Sequence, residues 1–241
     1  MRVIENEALA TMKSPVRRLF EVLHRPLINI APEAESRFDE EFKDFTLQYI
    51  DSPEWILSVK DKVIKISTVA VEALWVTGYS HFVIYRDVFQ KADVLTGGWV
   101  DFRKIKKVAV AADLLGWMFQ HKLKGRDFDW PPEFPKPLPN HRTPESDPAD
   151  EDVADEFCLG GCGCILHHEL AHILLRHNEA SRVEIEIDAD NTSWRWIIPD
   201  GTDVSSGDGK KRLMLLVHAY LLLVVRDIHR QFFQSETFSE H

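Results

Sequence analysis

The stretch LHHELAHILLRH, residues 166–177, sets four histidines and one glutamate within twelve positions, and no other segment restricts the chain as much. On an α-helix, residues four apart lie about 5–6 Å apart on one face, which lets two imidazoles reach one ion at about 2.0–2.1 Å each. His168 and His172 have that spacing. His167 meets Leu170 and Ala171 where a partner would stand, and His177 is five residues from His172 and points elsewhere. Glu169 lies about 100° round the helix from His168, so it leans over a water at the ion instead of sharing its ligand positions. His168-Glu169-Leu170-Ala171-His172 is therefore an HExxH pattern, in which the ion lowers the pKa of water and the Glu takes its proton. So short a pattern recurs by chance, and an amphipathic helix carrying satisfied core histidines has the same spelling.

A catalytic zinc takes three protein ligands and keeps a position for water. The stretch VEIEIDADNTSWRWIIPD, residues 183–200, reads as a further helix that stops before Pro199. Glu186 can supply the third ligand. Asp190, one turn on and on the same face, can hold the far nitrogen of a ligating His. Glu184 and Asp188 repeat the spacing, and Asp188 is itself a possible ligand; both rank below Glu186 and Asp190.

HELAHILLRH followed by EIDADNTSWRWIIP resembles the minigluzincins, short zinc peptidases with HExxH, then a Glu, three residues and an Asp, and an apolar close at Pro. Within that group the likeness is to the phage-exclusion Lit-type peptidases, through the lead-in CGCILHHELAHI and the ending DADN-x-x-W-x-WII. It covers roughly residues 155–200 and is looser over the two upstream helices. The resemblance implies a zincin-like active-site helix and a cytoplasmic bacterial endopeptidase that uses Zn2+ and serves phage defence or stress regulation. It assigns His168, His172 and Glu186 as ligands, Glu169 as general base and Asp190 behind a ligating His. Ser193 stands where a small Ala is usual, and Trp194 and Trp196 fill the end of the helix, so the pocket wall is expected to differ. The substrate and any activating signal do not carry over.

Other chemistries fit less well. With 39 acidic against 29 basic side chains and a net charge of −10, the chain lacks the clustered Lys and Arg that nucleic acid or an anionic membrane attracts. A protein or peptide is the expected partner. Cys158, Cys162 and Cys164 are odd in number and crowded together, so they build no disulfide framework and point to a reducing cytoplasm. They lack the CxxC knuckle of a structural zinc site, and small Gly and Cys residues in succession are read as close helix packing. The N-terminus, MRVIENEALATMKS, carries acids where a signal peptide would have its basic and then apolar regions. The apolar run 213–225 is thirteen residues, short of the roughly 20 that span a bilayer, and is expected to be a buried core helix. The HxE at His167 has no PCxxC downstream, and no GxSxG occurs.

The expected architecture is α+β, a mostly helical single domain over 1–241. WILSVKDKVIKIS, residues 55–67, reads as a β-hairpin despite the lack of Gly in its turn. PEAESRFDEEFKDF reads as a surface helix, and Ser67 or Thr68 caps a long helix through residue 92. A second helix covers RKIKKVAVAADLLGWMFQHKLK up to Gly125. Residues 126–148 form a proline-rich surface excursion, after which Asp147 and Pro148 start the histidine-bearing helix, which ends near Asn178. Arg212, His218, Tyr220, Tyr79 and His81 are candidate oxyanion donors. The sheet near 55–67 can accept an extended peptide strand. A non-catalytic reading remains, in which the ion clamps two helices of a regulatory or protein-binding module; Glu169 speaks against it. Oligomeric state is left open.

Overall fold

Every second side chain is buried along Thr46–Ile50 (β2) and at the start of Val63–Ser67 (β4), the period of strands with one wet face. β4 forms a hairpin with Leu57–Lys60 (β3). In the glycine-free turn Lys62 adopts φ 63°, a left-handed conformation that costs a non-glycine residue about 1–2 kcal/mol. β2 lies parallel to β4 on its other side, with Leu47 opposite Ile64 and Tyr49 opposite Ile66. Arg2–Val3 (β1) joins β2 in parallel, giving the order β1-β2-β4-β3. Among the described residues β3 is thus an edge strand. The computed structural model describes residues 2–3, 12–23, 25–41, 43–60, 62–90, 101–120, 129–138, 149–175 and 182–236.

The helices are Arg17–Val22 (α1), Arg25–Ile30 (α2), Glu35–Glu41 (α3), Thr68–Ile84 (α4), Lys106–Gln120 (α5), Asp150–Leu175 (α6), Arg182–Ile197 (α7) and Gly207–Glu236 (α8). The chain is therefore α+β and mostly helical. Ser67 caps α4 by accepting from the Ala70 amide, and the helix runs on as a π-helical turn over Tyr85–Gln90. Residues 91–92, Gly125, Asp147, Pro148, His177 and Asn178, where expected boundaries fall, lie outside the described residues. Within the proline-rich stretch, Trp130 turns inward, edge-on to Trp75 and beside Trp117.

α4 and α6 cross at the centre, and their small residues set how closely. A Cβ on Gly78 would come within 2.9 Å of Phe157 Cβ, and one on Gly161 within 3.1 Å of Leu74. Cys158, Cys162 and Cys164 are all buried and free, with Cys158 Sγ directed at the Val71 carbonyl at 3.6 Å. α6 has the length and apolar content of a membrane-crossing helix, yet 61% of its most apolar window is buried against other elements, as in a core helix.

Three expectations change. Residues 46–50 form an unforeseen strand: TLQYI sits among acids and prolines that hide its alternation. The stretch 32–45 is not one surface helix, because it breaks into a 3-10 turn and α3 and buries Phe38 and Phe45. The apolar run from 213 buries only one side: Leu215, Leu216, Ala219 and Leu222 face inward, whereas Met214, Val217, Leu221 and Val224 are about half exposed.

His218 of α8 fits against Gly78 and Gly161, edge-on to His81 and Phe157. The Leu74 carbonyl is near enough to favour a charged ring slightly, but neither ring nitrogen completes a hydrogen bond. Burial, with His81 adding to it, pushes the His218 pKa down to about 4, while an unfolded chain titrates near 6.5. The folded state resists the proton, so stability that is full above pH 6.5 falls as the pH drops toward 4. Urea unfolding of His218→Leu should lose about 2 kcal/mol less than wild type between pH 7 and pH 5. Equal losses would contradict this.

Candidate active site

The last two turns of α6 carry His168, Glu169 and His172, and α7 packs back along that face and brings Glu186 and Asp190. Buried Leu170, Ala171 and Ala189 form part of the apolar seam beneath. His168 Nε2 and His172 Nε2 stand 2.9 Å apart, and Glu186 Oε2 is 3.2 Å from the first and 3.5 Å from the second. One donor atom from each lies within 4.8 Å of the others. His168 Nδ1 meets Asp190 Oδ1 at 2.7 Å. In the tautomer that donates this hydrogen, the Nε2 lone pair is turned toward His172.

That arrangement tests whether a cation fits. Two ring nitrogens at 2.9 Å repel each other unless a proton or a cation lies between them, and the Glu186 carboxylate adds negative charge at the same point. Two imidazoles and one carboxylate are the donor set of a catalytic zinc site. For His168, burial opposes the charge, but the Asp190 hydrogen bond and the charges of Asp190, Glu169 and Glu186 outweigh it, raising the pKa. Burial likewise opposes the Asp190 charge, and its bonds to His168 and Tyr220 overcome it and lower the pKa.

The group opens into a cleft of about 620 Å3 that Glu169 also lines, with Leu57 and Ser58 of β3 on one wall and Leu223 and Val224 of α8 on another. Among the oxyanion candidates, Tyr220 lines this cleft. Arg212 is held by Glu33, Asp208 and the Ile197 carbonyl. Tyr79 stacks on Trp75, and His81 and His218 line a different cavity. Tyr220 donates its hydroxyl hydrogen to Asp190, a link that spacing alone does not reveal, since the two residues stand 30 apart on separate helices. Burial, then the Asp190 bond, raises its pKa, so the phenol stays protonated.

The remaining residues sort by helix face. His167 is fully buried, donates from Nδ1 to the Gly163 carbonyl at 2.7 Å and meets the Phe38 ring; burial pushes its pKa down to about 4. Glu184 and Asp188 are exposed on α7 and do not line the cleft. Ser193 is buried and returns its hydroxyl to the Asp190 carbonyl at 2.9 Å. Trp196 packs toward Phe38 and His167, while Trp194 reaches Tyr220.

A family model, Peptidase U49, matches residues 64–240. The cell death peptidase of Escherichia coli (strain K12) is 24% identical over 238 residues, covering 94% of this chain and 78% of that one. No solved structure matches.

Equilibrium dialysis against zinc should load about one ion per wild-type chain and none on His172→Ala, since a catalytic site retains the ion through three ligands. Equal loading of the two would place the metal elsewhere.

Proposed function

The chain belongs to the Peptidase U49 family and is a peptidase, and we propose that it is a zinc-dependent endopeptidase. What carries this reading is the convergence of His168, His172 and Glu186 within 4.8 Å, in a cleft that Glu169 also lines. His168 and His172 hold the ion from α6, Glu186 from α7, and Asp190 keeps the His168 ring turned toward it. A zinc ion bound there supplies a Lewis acid for the scissile carbonyl and lowers the pKa of water. Glu169 takes a proton from the attacking water as the new carbon–oxygen bond forms. It then passes that proton to the departing amine as the carbon–nitrogen bond breaks.

The substrate is a protein segment in extended form. β3 is the edge of the sheet, and its Leu57 and Ser58 line the cleft, so a peptide added beside β3 brings a backbone carbonyl past Glu169. The net charge of −10 disfavours nucleic acid and anionic membranes as partners. Three free buried cysteines suit a reducing cytoplasm. The likeness to a cell death peptidase, together with the resemblance of HELAHILLRH and DADN-x-x-W-x-WII to the Lit-type peptidases, supports a role in phage defence or stress regulation.

Glu169→Gln keeps the ligands and removes the base. It should bind zinc as wild type does and cut at least about 100-fold more slowly, read as the loss of new protein termini in cells expressing it beside wild type. Equal sets of termini would remove Glu169 from the reaction.

A further inference from the structure

Asp190 has a second partner besides His168. The Tyr220 hydroxyl, on α8, donates to Asp190 Oδ1, the oxygen that also faces His168 Nδ1. Trp194 Nε1, on α7, approaches the same phenol oxygen at 2.9 Å. An indole N–H can only donate, so the phenol oxygen accepts there and its own hydrogen goes to the carboxylate. The hydrogens of Trp194, Tyr220 and His168 thus form one consistent chain ending at Asp190.

The Asp190 side chain is 35% exposed, and with His168 alone it would be free to rotate toward solvent. Tyr220 holds it from the opposite helix. We propose that Tyr220 is a positioning residue for metal binding: by fixing Asp190 it keeps the His168 ring oriented with Nε2 toward Glu186 and His172. The C-terminal helix α8 thereby completes a site whose ligands all lie on α6 and α7. This inference rests on the zinc reading above. While its hydrogen serves Asp190, the phenol is not a free oxyanion donor, so its contribution appears before any substrate binds.

Zinc affinity, measured on the full chain by competition with a chromophoric chelator, tests this directly. Tyr220→Phe should bind zinc about 10- to 100-fold more weakly, and its metal-free thermal midpoint should stay within about 2 °C of wild type. In an Asp190→Ala background, Tyr220→Phe should cause no further loss, because residues acting through one carboxylate are not additive. Tyr85→Phe, at an exposed tyrosine, is the control and should bind as wild type does. The proposal is overturned by unchanged affinity in Tyr220→Phe, by an equal loss in the Asp190→Ala background, or by a metal-free midpoint that falls in step with affinity. Wild-type protein that binds no zinc overturns the zinc reading and this inference together; wild-type binding matched by Tyr220→Phe overturns only the latter.

Discussion

The hydrogen bond from His168 Nδ1 to Asp190, at 2.7 Å, ties two helices and one chemistry together. It selects the tautomer that leaves Nε2 for a cation, and it forms only where α7 lies against α6 in one register. That register comes from apolar and small residues: Ala171 and Ala189 bury fully, and Ser193 fits because its hydroxyl bonds back to the Asp190 carbonyl. A one-residue shift of α7 would turn Glu186 and Asp190 about 100° away. The proposed ligand set is thus a product of core packing as much as of the residues that compose it.

The neighbours His167 and His168 show how one helix serves both needs. About 100° apart on α6, the first is sealed against Phe38 and Gly163 and driven toward neutrality, while the second faces the cleft and carboxylates that draw a positive charge to it. Further back on α6, Gly161 and Cys158 lie against Leu74 and Val71 of α4 and let that helix approach closely. That part of α6 is buried on all sides, and the cleft-facing end of the helix continues from it. A site that must keep three donors close to one another benefits from such a base.

Much of the fold and the candidate site was legible because periodicity and spacing are local. The four-residue step from His168 to His172, the second step from Glu186 to Asp190, the Ser67 cap and the hairpin around Lys62 each lie within a few residues. What depended on distant chain segments was not. TLQYI is a strand because β4 lies parallel to it, and no neighbour in sequence says so. The run from 213 spells a buried helix by composition, yet only one side meets α4 and α6. Tyr220 was one oxyanion candidate among five, and only the side-chain contacts between α8 and α7 assign its hydroxyl to Asp190.

One zinc ion is proposed to sit between His168, His172 and Glu186 with a coordination position left for water. X-ray absorption at the zinc edge of the loaded protein measures it most directly. Two imidazole nitrogens and light oxygen scatterers at about 2.0–2.2 Å, with no sulfur, are expected. A sulfur shell near 2.3 Å, implicating Cys158, Cys162 or Cys164, or a fourth protein ligand closing the site, would contradict it.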